Sequence, residues 1–364
     1  MPDFSAADHA FMARALRLAE RGLLTTSPNP RVGCVIVRDG QIVGEGWHHR
    51  AGEAHAEVHA LAAAGERARG ATAYVTLEPC AHHGRTPPCA DALVAAGVLR
   101  VISAMRDPNP KVSGRGLERL RQAGINVTCG LLEESAHELN IGFVSRMTRN
   151  RPWVRLKAAT SLDGRTALAN GISQWITGPD ARRDGHRWRA RSCAIMTGIG
   201  TVRDDDPQLT VRAIDTIRQP LRVVVDARLE TPPEARILEG QCALIACASA
   251  EPGRRNRLEA RGAEIVELPN PQGKVDLPAL MHLLADRGIN ELLVEAGFGL
   301  NGSLVGEACV DELVLYLAPS LLGPDGLGAF NLLEIDSLEA RQKLNFHDIR
   351  QIGEDLRIVA RWRS

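Results

Sequence analysis

The sequence predicts an α/β protein built from two domains, and two observations carry that prediction. Short apolar, β-branched runs alternate with segments of helical spacing along nearly the whole chain, which is typical of layered α/β domains with parallel strands. The alternation breaks at Thr148-Arg-Asn-Arg-Pro152, where helical spacing stops and a proline precedes a new strand. We therefore expect a first domain over 1–148 and a second over 149–364, in line with a chain of 364 residues.

In the first domain, apolar positions at helical spacing predict a helix over 5–21, and Asp39-Gly40 predicts a hairpin between strands at 31–38 and 41–46. The other elements expected are strands at 71–77, 99–104 and 125–129 and helices at 55–68, 89–96, 115–123 and 131–147. Before the hairpin, two prolines hold Asn29 in a loop, either as a simple turn or as an amide presented to a ring or a ribose.

In the second domain, the same alternation predicts strands at 153–160, 193–198, 221–226, 241–247, 263–268, 290–295 and 312–318, with helices at 179–190, 251–260, 277–287 and 301–308. Cys242 and Cys247 are expected to be core members of a strand rather than ligands. The run Gly297-Phe-Gly-Leu-Asn-Gly302 follows a strand and opens a helix. It is either a turn whose backbone N–H groups receive a pyrophosphate or a glycine turn used for tight packing. The acidic residue that ends the next strand of a Rossmann unit is missing, so such a unit is not expected.

The composition excludes two classes of partner. Forty-four basic residues balance 44 acidic ones and aromatic residues make up 4% of the chain, whereas nucleic-acid binders usually carry a basic excess and stacking residues. The longest apolar runs are far shorter than the ~20 residues that span a bilayer, and the N-terminus lacks the features of a signal peptide. We expect a cytoplasmic enzyme with no nucleic-acid or membrane partner, in which most of the eight cysteines are free thiols.

The most informative stretch joins His55-Ala-Glu57 to Pro79-Cys80 and Cys89. One imidazole and two thiolates would hold Zn²⁺ with the fourth position open, as in catalytic zinc sites. Water in that position has a pKa near ~7, so hydroxide becomes available for attack on an electron-poor ring carbon. A His-x-Glu followed by Pro-Cys and a second Cys is the signature of zinc deaminases, with the Glu as general acid and base. The sequence therefore predicts His55, Cys80 and Cys89 as metal ligands and Glu57 as the catalytic residue.

The two cysteines depart from the usual Pro-Cys-x-x-Cys spacing, because eight residues separate them. A chance spacing of an ordinary helix histidine and buried cysteines is the alternative to a metal site. The enlarged loop contains His82, His83 and Arg85, which are either solvated or clamp a phosphate or base, since the guanidinium fork suits phosphate. His59 is expected to pack or to lie on the surface, because three protein ligands suffice.

The segment Thr76-Leu-Glu-Pro-Cys-Ala-His-His-Gly-Arg-Thr-Pro-Pro-Cys89, with 27–33 and 107–110, resembles the deaminase half of the bifunctional riboflavin-biosynthesis deaminase-reductases. The segments 157–167, 173–177, 204–212 and 294–299 are similar to the reductase half of the same family. The resemblance covers nearly the whole chain. It implies an α/β fold of two domains, a cytidine-deaminase-like three-layer domain followed by a dihydrofolate-reductase-like domain that uses NADPH.

The resemblance also implies site residues in the second domain. The NADPH contacts would be Ala159, Trp175, Thr201, Asp205, Gly297, Phe298, Gly299, Leu300, Asn301, Gly302 and Ser303. The substrate contacts would be Ser173, Arg189, Leu209, Arg212 and Glu295, and Asn29 is favoured as a substrate contact in the first domain. Two arginines suit a ribose phosphate, because a dianionic phosphate needs charge-assisted donors. Lys157 and Asp205 are both candidates for the acid of the reduction, and the family implies a homo-oligomer built through the second domain.

The function expected is therefore bifunctional. Zinc-dependent hydrolytic deamination of 2,5-diamino-6-(5-phosphoribosylamino)pyrimidin-4-one would precede NADPH reduction of 5-amino-6-(5-phosphoribosylamino)uracil to the ribityl form. Two other classes share parts of the pattern. A nucleic-acid base deaminase would need a basic or aromatic face, and a structural zinc site in a binding protein would be closed by four ligands, whereas three are found here. A measurement of ammonia release would distinguish a deaminase from a binding protein with a structural zinc site.

Overall fold

The chain forms two compact units, Met1–Asn150 and Arg151–Ser364, in a computed structural model that describes residues 4–81, 88–110, 112–240, 243–332 and 336–363. The predictions for His82, His83, Arg85 and Cys242 lie outside these residues. Within the described ranges, no helix has both the length and the apolar composition needed to cross a bilayer.

The first unit has three layers. Its elements are α1 (Ala6–Glu20), β1 (Gly33–Arg38), β2 (Gln41–Trp47), α2 (Ala56–Ala64), β3 (Thr72–Val75), α3 (Cys89–Ala95), β4 (Arg100–Ser103), α4 (Arg115–Gln122), β5 (Asn126–Cys129), α5 (Glu133–Leu139) and α6 (Ile141–Arg149). The strand order is β2-β1-β3-β4-β5, antiparallel from β2 to β3 and parallel from β3 to β5. Alternate residues of the strands face α2, α3 and α4 on one side and α1, α5 and α6 on the other.

Glycines bring α2 unusually close to β2. A Cβ atom at Gly44 would lie 2.2 Å from the carbonyl oxygen of Ala60, and one at Gly46 would lie 2.3 Å from that of Ala56. Because any side chain at these positions would collide with the helix backbone, the two glycines allow the start of α2 to rest on the sheet. The predicted hairpin turn is confirmed, with Asp39 and Gly40 both at positive φ.

The helix predicted over 131–147 is two helices, since α5 ends before Asn140 and α6 begins after it. The Asn140 amide holds the main chain of Arg31, accepting from its N–H at 2.8 Å and donating to its carbonyl at 2.9 Å. This anchor holds Asn140 outside helical geometry, at φ −110° and ψ 19°. A partner 109 residues away therefore breaks a segment whose local pattern is helical.

The second unit surrounds a nine-stranded sheet. Its elements are β6 (Trp153–Ser161), β7 (Arg165–Ala167), α7 (Pro179–Arg191), β8 (Ala194–Gly198), α8 (Ile199–Asp205), β9 (Leu221–Val225), β10 (Ala243–Cys247), α9 (Pro252–Glu259), β11 (Glu264–Glu267), α10 (Leu277–Asp286), β12 (Glu291–Val294), α11 (Phe298–Gly306), β13 (Glu312–Ala318), β14 (Leu327–Gly328), β15 (Leu344–Ile352) and β16 (Asp355–Trp362). The order is β11-β10-β9-β8-β12-β6-β13-β16-β15, parallel up to β13 and antiparallel beyond it, and β7 pairs with β14. One face packs on α10 and α11, the other on α7, α8 and α9. Cys247 lies in the core, as predicted.

The C-terminal hairpin of β15 and β16 was not predicted. Most β15 side chains are exposed and its apolar residues do not alternate regularly with polar ones, so the strand lacks the pattern that marks a half-buried strand. Its turn contains Gly353 at φ 63°. The helix predicted over 301–308 begins earlier, at Phe298, with Gly297 as its N-cap.

A buried ion network lies at the amino ends of the central strands. Arg155 of β6 is almost inaccessible to solvent and pairs with Glu291 of β12 and Glu312 of β13. Each carboxylate has a second partner, since Arg191 donates to Glu291 at 2.7 Å and Arg361 of β16 donates to Glu312 at 2.8 Å. Buried charges are tolerated when they are paired and hydrogen-bonded, so this network fixes four strands and the end of α7 to one another.

Candidate active sites of the two units

The three predicted metal ligands come together at one end of the first unit. His55 is the N-cap of α2, Cys80 follows β3, and Cys89 is the first residue of α3. The His55 Nδ1 atom lies 3.2 Å from the Cys89 sulfur and 3.6 Å from the Cys80 sulfur. Within the described residues, these are the only His, Cys, Asp or Glu side chains that cluster three together with ligand atoms within 4.8 Å.

The spacing of these atoms fits zinc. Tetrahedral zinc, with bonds of ~2.3 Å to sulfur and ~2.0 Å to nitrogen, separates its ligand atoms by roughly 3.5–3.8 Å. The Cys89 backbone N–H also donates to the Cys80 sulfur at 3.3 Å, which favours a thiolate there. A hydrogen bond from Cys89 lowers the pKa of Cys80, whereas that bond and burial raise the pKa of Cys89. Zinc binds thiolates, so metal binding would release the proton of the Cys89 thiol.

Glu57 lies in the first turn of α2 and is buried, with 3% of its surface exposed. Burial, followed by the neighbouring Cys80, raises the pKa of Glu57 to about 7. Its carboxylate contacts the Cys89 thiol. A carboxyl group in this position can both accept and return a proton near neutral pH.

His48 is a site residue that sequence reasoning missed. Its Nδ1 lies 3.1 Å from the Ala54 carbonyl and its Nε2 lies 3.1 Å from the Asn29 amide nitrogen. Because a carbonyl only accepts, Nδ1 carries the proton and Nε2 accepts from Asn29, which leaves the Asn29 oxygen directed elsewhere. The His48 ring packs edge-on against His55 at 5.3 Å, and burial lowers its pKa. His59, which was expected to pack or to lie on the surface, is half-buried and stacks on His49 at 4.3 Å.

Glu78 was also missed, although it stands two residues before Cys80. Its buried carboxylate accepts four backbone N–H groups from the segment that leads into α4. The donors are Asp107 at 3.2 Å, Gly114 at 2.9 Å, Gly116 at 2.8 Å and Leu117 at 3.4 Å. Gly116 packs so closely that a Cβ atom there would lie 1.8 Å from the Pro79 carbonyl oxygen. Glu78 therefore ties the Cys80 segment to α4.

In the second unit, a charged group lies at the carboxyl end of β12 beside β6. Arg189 of α7 donates two hydrogen bonds to Glu295, at 2.6 and 2.9 Å, and a third to the Thr210 carbonyl at 3.1 Å. Lys157 of β6 is close enough to both charges to interact with them. The structure thus brings together Arg189 and Glu295, two substrate contacts that the resemblance implied, and Lys157, one of the two candidate acids.

Two residues of α7 hold the 210–212 segment: Arg189, through the Thr210 carbonyl, and His186. His186 was not predicted from the sequence. The Arg212 backbone N–H donates to His186 Nδ1 at 3.4 Å. Burial, followed by Arg189 and Arg212, lowers the pKa of His186 to about 4, so its ring is neutral at physiological pH. Burial also lowers the pKa of Lys157. Burial alone would raise the pKa of Glu295, but the positive charges of Arg189 and Lys157 outweigh it and lower the pKa of Glu295 to about 2.

The predicted glycine turn lies at the neighbouring strand end. Gly297 is the exposed N-cap of α11, and a Cβ atom there would lie 3.6 Å from the Thr201 hydroxyl of α8. Gly299 faces open space among the described residues, whereas a Cβ atom at Gly302 would lie 2.1 Å from the Asn331 carbonyl oxygen. The first two glycines therefore leave backbone N–H groups accessible to a pyrophosphate, which fits NADPH, and the third serves packing.

The remaining predicted contacts differ in exposure. Trp175 is exposed, with the Arg182 guanidinium 4.6 Å from its ring centre, and the preceding Gln174 donates to Asp205 at 3.4 Å. Ser173, Ala159, Phe298, Leu300 and Ser303 are half-buried. Asn301 is buried and donates to the Ala296 and Ala329 carbonyls. Leu209 is buried in the core at positive φ, so only its main chain can face a ligand.

Two family descriptions match this chain. The description "Cytidine and deoxycytidylate deaminase zinc-binding region" matches residues 5–105, and "RibD C-terminal domain" matches residues 152–358. The two-domain fold class predicted from the sequence is confirmed, with a cytidine-deaminase-like first unit and a dihydrofolate-reductase-like RibD reductase as the second.

Relatives with similar sequences align over nearly their whole length. The riboflavin biosynthesis protein RibD of Escherichia coli is 50% identical, over 96% of this chain and 98% of the relative. That of Aquifex aeolicus is 42% identical, over 96% and 97%.

Solved structures agree across both units. RibD of Acinetobacter baumannii superposes with a TM-score of 0.91 at 44% identity, over 98% of this chain and 99% of that one. A Thermotoga maritima protein described as a diaminohydroxyphosphoribosylaminopyrimidine deaminase/5-amino-6-(5-phosphoribosylamino)uracil reductase superposes with a TM-score of 0.87 at 34% identity, over 98% and 99%.

Proposed function

The chain belongs to the RibD family of riboflavin-biosynthesis deaminase-reductases, and from that membership we propose its substrates and the residues that act on them. The first reaction is hydrolytic deamination of 2,5-diamino-6-(5-phosphoribosylamino)pyrimidin-4-one. The second is NADPH reduction of 5-amino-6-(5-phosphoribosylamino)uracil to the ribityl form. The observation that carries this proposal is the convergence of His55, Cys80 and Cys89 beside a buried Glu57.

In the deamination, Glu57 moves the protons. His55, Cys80 and Cys89 would hold zinc, which when bound would act as a Lewis acid and lower the pKa of water to ~7. Glu57, which contacts the Cys89 thiol, takes the proton from the attacking water and delivers it to the departing amine. Asn29, held by His48 through its amide nitrogen, offers its amide oxygen to the N–H edge of the pyrimidine.

In the reduction, the charged group of the second unit binds and orients the ribosyl phosphate. The turn at 297–303 would hold NADPH, which when bound would supply the hydride. Glu295 holds Arg189 by two hydrogen bonds, whereas the exposed Arg212 side chain donates to no other group among the described residues and remains available for the phosphate. Of the two candidate acids, Lys157 lies within this group and Asp205 lies against Gln174, so the geometry favours Lys157.

The remaining substrate and cofactor contacts are proposed as the resemblance implies them. They are Ala159, Ser173, Trp175, Thr201, Asp205, the Leu209 main chain and the turn at 297–303. The deaminase residues all lie within 1–148 and the reductase residues within 149–364, which are the bounds we propose for the two catalytic domains.

The test is NADPH absorbance after purified protein meets the diaminopyrimidine ribosyl phosphate, run beside Glu57→Gln and the exposed control Glu53→Gln. The wild type and the control should release ammonia and then oxidise NADPH. In the Glu57 variant, the rate of ammonia release, and of the NADPH oxidation that follows it, should fall by a factor of about 10²–10⁴. The same variant should still oxidise NADPH when it is given the deaminated compound. Ammonia release without NADPH oxidation in the wild type would contradict the second reaction, and full activity of Glu57→Gln would contradict the first.

We also propose that the enzyme is cytoplasmic, has no nucleic-acid or membrane partner, and assembles as a homo-oligomer through its second unit. The balanced charge supports the absence of a nucleic-acid partner. The assembly is supported by β15, an edge strand that exposes Phe346 by 72% and Ile349 by 53%. Exposed apolar groups on an open strand edge favour association with another chain.

A further inference from the structure

The order of the parallel strands arranges the ligand-binding regions of the second unit in a row. The strands β10, β9, β8, β12 and β6 are neighbours in that order, so their carboxyl ends share one edge of the sheet. The charged group at Lys157 and Glu295 lies at β6 and β12. The turn at Gly297 and Thr201 lies at β12 and β8.

A cofactor bound in this row has only one direction open to its adenosine end. With its pyrophosphate on the turn at 297–303, as proposed above, its nicotinamide would have to reach the substrate at β6 and β12 to transfer a hydride. The adenosine end therefore extends the other way, towards β9 and β10. Neighbouring strands are ~4.8 Å apart, so the end of β9 lies roughly 10 Å from that of β12.

A cavity of about 360 Å³ lies at this end of the row. Three guanidinium side chains line it, Arg203 of α8 and Arg254 and Arg257 of α9, with Glu230 as the lining carboxylate. Leu229 and Leu258 supply apolar surface. Positive charge exceeds negative charge in this cavity by two, and its volume is in the range of small-molecule sites.

The walls of the cavity are held in place by their own contacts. The buried Asp226, at the end of β9, accepts from both the N–H and the hydroxyl of Thr231 at 2.7 Å. Arg254 donates to the Arg228 carbonyl at 2.9 Å, and Arg203 pairs with Glu230. Arg257 makes no hydrogen bond or ion pair within the described part of the chain, so its charge is available to a ligand.

We propose that this cavity receives the 2′-phosphate of NADPH, and that Arg203, Arg254 and Arg257 make the enzyme prefer NADPH over NADH. The proposal rests on the reductase function proposed above. A phosphate dianion is bound best by charge-assisted hydrogen bonds from guanidinium groups, and the hydroxyl of NADH offers no charge to them. A free phosphorylated metabolite has the same chemistry, so the experiment distinguishes the two sources.

The probes are adenosine 2′,5′-bisphosphate and 5′-AMP, which differ by that phosphate, with calorimetric binding as the readout. Arg257→Ala and the double variant Arg203→Gln/Arg257→Ala are compared with the wild type. Arg255→Ala is the control, because Arg255 lies on the same helix, pairs with Glu259 and Glu267, and does not line the cavity. Each lost guanidinium should weaken bisphosphate binding about tenfold and leave 5′-AMP binding unchanged. The ratio of kcat/KM for NADPH to that for NADH should fall in parallel.

Three outcomes overturn the proposal. Unchanged bisphosphate binding in the double variant shows that the phosphate lies elsewhere. A second outcome is that inorganic phosphate or ribose 5-phosphate binds the wild type but not the double variant, and does not compete with NADPH. That result would show that the cavity is a separate anion site. A wild type that binds neither bisphosphate nor NADPH contradicts the reductase function itself, a result that is distinct from the other two.

Discussion

Glu78→Gln should loosen the zinc site without touching a ligand. The carboxylate joins the Cys80 segment to α4 through four backbone N–H groups, two on each oxygen. The glutamine amide keeps one oxygen and places an NH₂ group where the other oxygen was. Two N–H groups then face a donor instead of an acceptor, inside a buried site.

The cost follows from those bonds. A hydrogen bond to a charged group contributes about 1.5–3 kcal/mol, so two lost at the lower value cost about 3 kcal/mol of unfolding free energy. For a unit of this size, that corresponds to a fall in Tm of roughly 6–12 °C. Because the Cys80 segment is then less restrained, zinc affinity and ammonia release should fall with the stability of the first unit.

The assay combines calorimetric unfolding, zinc content and ammonia release, with NADPH oxidation of the deaminated compound as the internal control in the second unit. Glu118→Gln is the matched control, since Glu118 is exposed on the same helix. The reasoning is refuted if Glu78→Gln keeps the wild-type transition of the first unit and its zinc. It is also refuted if NADPH oxidation falls as far as ammonia release, because the damage would then not be local.

Three further changes test other parts of the molecule. Glu295→Gln leaves Arg189 without its carboxylate partner, so it should cost about 3 kcal/mol in chemical denaturation and abolish NADPH oxidation while ammonia release persists; retention of both stability and reduction would refute the pairing. The pKa of His186 is about 4 in the folded state and near ~6.5 in the unfolded chain, so the unfolded state binds the proton first and stability is lost as the pH falls between those values. His186→Gln should flatten that part of the stability profile, measured by denaturation from pH 4 to pH 8, and an unchanged slope would show that the histidine is not the source. Phe346→Asp should lower the mass measured by light scattering if β15 forms the interface between copies, and an oligomer of unchanged mass would place the interface elsewhere.

Local patterns in the sequence were enough to predict many elements. The hairpin could be predicted because its two turn residues, Asp39 and Gly40, determine it locally. The three metal ligands could be predicted because their sequence motif places them at the ends of helices and strands. The Arg189–Glu295 pair joins residues 106 apart, and the Asn140 anchor that divides a helix joins residues 109 apart. No local period records such contacts. The resemblance implied Arg189 and Glu295 only as separate substrate contacts, and nothing in the sequence indicated either pairing.

The ion network around Arg155 has a consequence for the order in which the protein is made. Its partners Glu291 and Glu312 lie 136 and 157 residues further along the chain, and Glu312 in turn needs Arg361 of β16. During translation, the sheet of the first unit can close before β6 leaves the ribosome, because its strands all precede residue 150. The nascent second unit must keep an uncompensated guanidinium in water until β12 and β13 arrive. The ion network of the second unit is therefore complete only after β16, the last strand, has been translated.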